Sequence, residues 1–468
     1  MLRRCFLRSM ASAGLSLPLA IAQQRSGGMA PAEPFKPSDE PNHPIGEAKG
    51  LHPGRVVWVR DAKATTWDGT TGHWWDDAST DQKVVHSMTS RVLEDLTGRK
   101  DDKQAWDALF RSFNEVHQFG RAGYRPGERI AIKINCNQDR SKEWGVASAP
   151  SGPPPGRAGA PPTGARGGGM PPRGPLNGLP SPQAVVALVA QLIERAGVRG
   201  EDIMIYDATG MRNVGQPIFA RVRANSGVAY QKVLFLVGTD YETGGRLAPE
   251  PDTANPVHFA GNSLPPASLP KQVTEAKYMI NMALLRPHGM AGVTLTAKNH
   301  FGSVHFPEGG GWSPRTLHNS VMRTQAMGSY NALVDLVGHP HLGGKTMLFL
   351  LDGLYTAEHN EGNVYKWASF DDHWAASLLA SQDPIAIDSV ALDILRSEPR
   401  AVEVRGNPDN YLHEAALARK PPSGTVYKPN GTVALASLGA HEHWNNPAER
   451  RYSRNLGAKE GIELIARV

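Results

Sequence analysis

Short apolar runs alternate with amphipathic stretches along most of this chain. The runs are about six residues long, are rich in Val, Ile and Leu, and mostly end in polar or glycine residues. Between several of them, apolar residues recur at three- and four-residue spacing, the periodicity of a helix with one buried face. This alternation predicts an α/β protein with a mostly parallel sheet and covering helices, arranged in one or two lobes around one crevice.

Seven strands and five helices follow from this pattern. The predicted strands are Arg55–Arg60, Glu128–Asn135, Asp202–Tyr206, Lys232–Val237, Lys277–Leu285, Thr346–Leu351 and Ala375–Ala380. The predicted helices are Asp81–Leu96, Lys103–Phe119, Pro182–Ala196, His318–Val337 and Pro384–Leu395.

Polar side chains follow five of the predicted strands where each strand ends. In chain order they are Lys133 and Asn135, Asp207, Arg286 and His288, Asp352, and Asp383. In open parallel sheets, ligands bind outside the carboxyl ends of the strands, because helix N-termini and irregular loops meet there. We therefore expect these groups to surround one crevice.

Two lysines stand in apolar surroundings, Lys133 in "AIKIN" and Lys298 in "LTAKN". A buried lysine is costly unless it is paired or faces a ligand, although a partner carboxylate or a snorkelling side chain would also explain both. With Arg286 they predict a site for a carboxylate or phosphate, to which Asn135 and Asn299 would add substrate contacts.

His288 is the predicted proton-transfer group of this crevice, because the ordinary pKa of histidine lies near neutral pH. His288 and Lys298 are therefore the predicted catalytic residues. Asp352 and Asp383 are predicted to hold a divalent ion or to orient the cations. An oxygen-rich, cysteine-poor crevice suits Mg, Mn or Ca. Two simpler interpretations stay open: Asp383 as a helix N-cap and Asp352 as a turn residue.

Two further histidine pairs have i, i+2 spacing, His339 with His341 and His441 with His443. Such pairs share one face of an extended chain and can bind a metal, but neither has an obvious third ligand in the sequence. Of the two cysteines, Cys5 lies in a predicted signal and Cys136 remains. This chain alone is therefore not expected to hold an iron–sulfur cluster or an internal disulfide.

Residues 1–22 have the features of a twin-arginine signal peptide, with Arg3 and Arg4, a short apolar segment and the small-residue motif Ala20-Ile21-Ala22. They predict export to the periplasm or beyond by the twin-arginine machinery, with no membrane span in the mature form. Residues 23–50 are predicted to form a flexible tail. In 146–180, Pro and Gly fill 19 of 35 positions, which predicts a disordered insertion in a domain spanning 51–468.

The formal charge of +5 is mild, and no Lys/Arg run with interleaved aromatics is present. The expected partner is therefore a small anionic molecule and not nucleic acid. These features favour a metal-assisted enzyme acting on a carboxylate or phosphate compound. A non-catalytic periplasmic binding protein and a redox partner that binds an external cofactor remain alternatives.

Two segments, "MINMALLRPHGMAGVTLTAKNHFGS" and "SQDPIAIDSVALDIL", resemble the bacterial and archaeal domain-of-unknown-function family numbered 362. The matching positions are Arg286, His288, Gly292, Thr294, Lys298, Asn299, Phe301 and Gly302 in the first segment, and Asp383, Pro384, Ala386 and Asp388 in the second. The resemblance spans roughly residues 55–468 and implies a fold and a site, but no reaction. Many members carry ferredoxin-like cysteine motifs, which this chain lacks.

Overall fold

The computed structural model describes residues 39–136, 179–209, 216–237, 246–261, 264–308, 311–312, 315–360 and 362–468. The predictions for residues 1–22, 23–38 and 146–178 lie outside this range. Within it, no helix is both long enough and apolar enough to cross a bilayer.

In the described part of the chain, nine strands form one sheet in the order β15-β2-β13-β12-β9-β3-β4-β5-β6. Their bounds are β2 Arg55–Arg60, β3 Ile130–Lys133, β4 Ile203–Asp207, β5 Leu234–Val237, β6 Arg246–Leu247, β9 Tyr278–Leu284, β12 Thr346–Gly353, β13 Ser377–Ser381 and β15 Glu463–Arg467. Three two-stranded sheets lie outside the nine-stranded sheet: β1 Ile45–Gly46 with β14 Ala440–His441, β7 Pro251–Val257 with β8 Ala267–Pro270, and β10 Arg286–His288 with β11 Gly292–Thr294.

Helices cover both faces of this sheet. They are α1 Gln82–Thr97, α2 Asp102–Val116, α3 Pro182–Ala190, α4 Gln216–Ala224, α5 Val228–Gln231, α6 Lys271–Thr274, α7 Thr296–Asn299, α8 Ala332–Gly338, α9 Pro384–Ser397 and α10 Asp409–Ala416. A π-helical stretch, Gln191–Arg195, continues α3.

Two hydrophobic cores lie on opposite faces of the sheet, because successive side chains of a strand point to opposite sides. In β2, Val57 and Val59 pack with α1, α2 and α3, whereas Val56 and Trp58 belong to the core of α8, α9 and α10. The prediction of an α/β fold with a mostly parallel sheet is confirmed. The described residues fall in a single compact unit, so the two lobes are not confirmed.

Strand β13 runs antiparallel to both of its neighbours, β2 and β12, while the other neighbouring strands of the sheet are parallel. Ser381 at its carboxyl end pairs with Phe349, and Ser377 pairs with Gly353. Asp383 therefore leaves the sheet at the edge where the parallel strands begin. This corrects the expectation that Asp383 shares a crevice with the groups that follow the parallel strands.

Residues 39–50, which the sequence placed in a flexible tail, pack on the domain. Ile45 pairs with His441, and the backbone N–H of Lys49 donates to Asp383 Oδ2 at 2.8 Å. The predicted helix His318–Val337 is also shorter than expected. A 3₁₀ helix, Arg315–Ser320, comes first, and α8 begins only after its N-cap Asn331.

Candidate functional site

The chain leaves the buried strand β9 through the hairpin β10–β11 and then enters α7. In the hairpin, Arg286 pairs with Thr294 and His288 pairs with Gly292. Alternate residues of a strand share a face, and directly paired residues lie side by side on it, so Arg286, His288 and Thr294 occupy the same face. Gly292 has φ +84, and a Cβ there would lie 3.2 Å from Pro408 Cβ, which favours glycine at this turn.

His288 is held in one orientation by its own turn. Its Nδ1 accepts hydrogen bonds from the backbone N–H groups of Met290 at 3.1 Å and Ala291 at 3.2 Å. A ring nitrogen that accepts cannot carry a proton, so the neutral ring carries its proton on Nε2. His288 is thereby a hydrogen-bond donor through Nε2.

The electrostatic surroundings of His288 keep it neutral. Burial lowers its pKa well below the ordinary 6.5, and Lys298, His318, Arg286 and His359 lower it further. Each of these four groups is a cation or can become one, so they create a positive potential at the imidazole. Such a potential favours a negatively charged ligand.

Lys298 reaches the same region from α7. Its Nζ lies 3.4 Å from His318 Nε2 and 4.1 Å from the ring centre of Phe301. The rings of His288 and His318 stack with their centres 5.7 Å apart. Arg286, His288, Thr294 and Lys298 therefore converge, and we call these four residues the cationic face.

Asp388 of α9 fixes the position of α7. Its Oδ1 accepts from Thr296 N at 2.9 Å and Thr296 Oγ1 at 2.7 Å, and its Oδ2 accepts from Ala297 N at 3.0 Å and Tyr411 at 3.1 Å. A carboxylate at the first N–H groups of a helix satisfies donors that have no partner within the helix. The two segments that resemble family 362 thus meet in space, and Asp388 positions Lys298.

The Thr294 hydroxyl is a further polar group of the cationic face. Thr294 is 1% exposed, and its Oγ1 has no hydrogen-bond partner among the described residues. A buried hydroxyl without a partner is unfavourable, and a ligand oxygen would satisfy it.

Lys133 lies in an adjacent and fully buried network. Its Nζ donates to Ile134 O at 2.5 Å and to Asn299 Oδ1 at 3.3 Å, and it lies 3.6 Å from Asp207 Oδ2. Asn299 in turn donates to Lys133 O at 3.0 Å and to Asn281 Oδ1 at 2.8 Å. These contacts link the ends of β3 and β4 and the middle of β9 to α7, so Lys133 and Asn299 belong to the structural framework beside the cationic face.

Gly302 is packed against this network. A Cβ at Gly302 would lie 2.5 Å from Asp207 Oδ1 and 2.6 Å from Lys133 Nζ. The backbone at this position approaches the ion pair too closely for any other residue to fit without displacement.

The predicted metal ligands are Asp352 and Asp383, and both carboxylates accept hydrogen bonds from backbone N–H groups. Asp352 Oδ2 accepts from Ser181 N at 2.6 Å, and its Oδ1 accepts from Leu354 N at 2.9 Å. Asp383 caps α9 with Oδ1, while its Oδ2 accepts from Lys49 and Ala440. Burial raises the pKa of each carboxyl to about 6.

The register of β12 and β13 separates these two carboxylates. Asp352 pairs with Leu378, and Asp383 lies five residues beyond Leu378 along the chain. At about 3.3 Å per residue, Ser381 alone is already about 10 Å from the level of Asp352. Asp352 and Asp383 therefore do not face one ion.

Among the predicted site residues, the structure brings Arg286, His288 and Lys298 together. Asn135 is half-buried beyond β3, and its Oδ1 has no hydrogen-bond partner among the described residues. The sequence reasoning did not single out His318 or assign a role to Thr294 and Asp388. Arg286 and Thr294 lie eight residues apart on the two strands of a glycine-containing hairpin. This spacing was the signal that could have placed Thr294 among the predicted site residues.

A cavity of about 330 Å³ lies at the opposite edge of the sheet, lined by residues that include Thr346 and Gln382. It opens where β12 begins, and it is therefore separate from the cationic face.

Comparison with known families identifies one domain in the chain. A family model described as "Domain of unknown function (DUF362)" matches residues 172–393. The matched range includes the cationic face and Asp388, and it begins after Lys133. No curated protein matches the chain.

Proposed function

Residues 172–393 belong to the family of the domain of unknown function DUF362, and from this premise we propose that the protein binds a small molecule bearing a carboxylate or phosphate group. The cationic face is the proposed binding site. The observation that carries the proposal is the convergence of Arg286 and Lys298 on a neutral His288 that presents its Nε2–H.

The donors on the cationic face match the acceptors of such an anion. A guanidinium group binds two oxygens of a carboxylate or phosphate at once, and an ammonium group adds a compact charge. His288 Nε2–H and the Thr294 hydroxyl supply neutral donors beside them. Burial is the largest cause of the lowered pKa of His288, and Lys298, His318 and Arg286 lower it further, which supports a positive potential at this point.

The same donors would stabilise negative charge that develops on a substrate oxygen during a reaction. His288 suits this role better than proton abstraction, because its Nδ1 already accepts two backbone N–H groups. Catalysis by His288 and Lys298 stays a prediction, and the proposal concerns binding.

Thermal melts and calorimetric titrations with phosphate, sulfate, citrate and acetate test the proposal, with sodium chloride at matched ionic strength as the reference. We expect at least one anion to bind saturably and to raise the melting temperature. Lys298→Met keeps the length of the apolar stem and removes the charge, so it should abolish this response. The exposed Lys100 provides the matched control, and Lys100→Met should respond like the wild type.

Equal responses of the wild type, Lys298→Met and Lys100→Met would show a general salt effect and contradict the proposal. The absence of any saturable response in the wild type would do the same.

A further inference from the structure

A second cluster of ionisable groups lies around β14 and does not include the residues of the cationic face. One nitrogen or oxygen atom from each of Asp39, His441 and His443 lies within 4.8 Å of the other two. The distance from Asp39 Oδ2 to His441 Nε2 is 3.8 Å. Asp39 lies about 400 positions before the two histidines in sequence, and folding brings it next to them.

The backbone explains why both histidines face the same way. His441 ends β14, which pairs with β1. In this extended segment residues 441 and 443 share one face, and Glu442 points away to accept hydrogen bonds from Ile462 N and Ser453 Oγ.

Ser389 determines which nitrogen of His441 carries the proton. The Ser389 hydroxyl donates to Ile385 O at 2.7 Å, so it can only accept from His441 Nδ1 at 2.8 Å. The His441 proton is therefore on Nδ1, and the lone pair of Nε2 faces Asp39. His441 is fully buried, and its Nε2 makes no hydrogen bond within the described residues.

His443 has the arrangement of a metal-binding histidine with a supporting carboxylate. Its Nδ1 lies 2.7 Å from Asp393 Oδ1, and Asp393 Oδ2 accepts from Tyr452 Oη at 2.8 Å and Trp444 N at 3.1 Å. A carboxylate that holds the second ring nitrogen fixes the ring and strengthens it as a ligand. His443 Nε2 faces the cluster and has Asp409 Oδ1 as a neighbour at 3.2 Å.

The fixed charges around the cluster are predominantly negative. Asp409 lies 3.2 Å from His443 Nε2 and forms a two-point pair with Arg396. Asp39, Asp393 and Asp409 carry three negative charges against the one positive charge of Arg396 when the histidines are neutral. A dication offsets this excess.

We propose that Asp39, His441 and His443 bind a first-row transition-metal dication, with Zn²⁺ as the probe. Two imidazoles and one carboxylate are a ligand set that such ions prefer over Mg²⁺ or Ca²⁺. His413 Nε2, which lies 2.5 Å from Asp39 Oδ2, supports the carboxylate ligand. The ion would tie the segment that begins at Asp39 to β14 and α10.

The other histidine pair supplies a matched control. His339 Nε2 lies 3.3 Å from Pro256 O, and His341 Nε2 lies 3.2 Å from Asn255 Oδ1. Both nitrogens have oxygen partners within hydrogen-bonding distance, so this pair has the same spacing but lacks a nitrogen like His441 Nε2, which makes no hydrogen bond within the described residues.

The experiment uses the untagged full chain after treatment with a chelator. Co²⁺ is titrated with visible absorbance as the readout, Zn²⁺ is then used to displace it, and bound metal is counted by mass spectrometry. We expect one equivalent of Zn²⁺ in the wild type and in His341→Ala. His441→Ala should lose it, and Asp39→Asn, at a partly exposed position, should bind at least about tenfold more weakly.

Wild-type protein that binds neither Co²⁺ nor Zn²⁺ would overturn the proposal. If His441→Ala does not fold, Asp39→Asn decides: a folded Asp39→Asn protein with wild-type affinity for Zn²⁺ would overturn it as well. Loss of the ion in His341→Ala would mean that the metal binds at His339 and His341, and it would overturn the proposal.

Discussion

Removal of the Lys133 charge should destabilise the protein strongly. Lys133→Met keeps the apolar stem but leaves Asp207 buried without its cation at 3.6 Å. It also removes the donors to Ile134 O and Asn299 Oδ1. Breaking one partner of a buried ion pair is costly, because the remaining charge is left in a medium of low polarity.

The magnitude follows from the geometry. Two unit charges 3.6 Å apart attract each other by about 4.6 kcal/mol at an effective dielectric constant of 20. Desolvation offsets part of this attraction in the intact pair, but the loss of one partner typically costs about 3–5 kcal/mol. Asp207 keeps hydrogen bonds from Cys136 N and Thr209, so we expect a value near the low end, about 3 kcal/mol.

Equilibrium urea unfolding of four proteins measures this effect: the wild type, Lys133→Met, Asp207→Asn and the double variant. The double variant removes both charges, so it should be destabilised by less than the sum of the single variants, with a coupling energy of about 2 kcal/mol. Lys100→Met, at an exposed position, should stay within about 0.5 kcal/mol of the wild type. A Lys133→Met protein as stable as the wild type, or additive single variants, would refute the reasoning.

Three further predictions concern the surroundings of the cationic face. Gly302→Ala should lower the free energy of unfolding by about 1–3 kcal/mol in chemical denaturation, because its Cβ overlaps Asp207 and Lys133; unchanged stability would contradict the close approach. Asp388→Asn should cost about 1–3 kcal/mol by setting an amide donor against a backbone N–H, and should weaken phosphate binding in calorimetry. A variant with unchanged phosphate affinity would remove Asp388 as the group that positions the lysine. His288→Asn keeps an acceptor for the turn and removes the Nε2–H, so the fold should persist while phosphate binds more weakly. The folded pKa of His288 lies below 6.5, so the unfolded chain binds more protons than the folded protein below pH 6.5. The free energy of unfolding therefore decreases as the pH is lowered, by up to about 1.4 kcal/mol per pH unit from this residue. Melts of His288→Asn between pH 7 and pH 5 should therefore decline less than those of the wild type, and an equal decline would contradict the lowered pKa.

Seven of the nine strands of the sheet were predicted from the sequence, because their apolar runs are short and mostly end in polar residues, whereas β6 and β15 were not predicted. The strand predicted at Lys277–Leu285 corresponds to β9, Tyr278–Leu284. The polar groups after β9 were likewise predicted to line a site, and the structure places Arg286 and His288 on one face of a hairpin. Local patterns suffice for features of this kind.

The direction of β13 was not readable, because an apolar run looks the same whichever way the strand points. That direction moves Asp383 to the other edge of the sheet and removes it from the predicted metal pair. The helix predicted to begin at His318 does not form over its full length, for a local reason. Gly328 has φ +73, which is not a helical conformation, and Asn331 is the N-cap at which α8 begins.

Partners distant in sequence were the other source of error. Lys133 and Lys298 look alike in sequence, but the first lies against Asp207 in a buried network and the second lies beside His318. Asp39 was assigned to a tail, so it could not be recognised as a neighbour of His441. Contacts of this kind depend on chain topology, which one sequence does not specify.

The most direct test of the anion-binding account is a crystal structure of the protein grown or soaked with selenate. The selenium atom identifies the anion by its anomalous scattering, independently of water or chloride. The account predicts a selenate ion within hydrogen-bonding distance of Arg286, Lys298, His288 Nε2 and Thr294 Oγ1. Selenate bound only elsewhere, with a carboxylate of the chain itself occupying the cationic face, would contradict it.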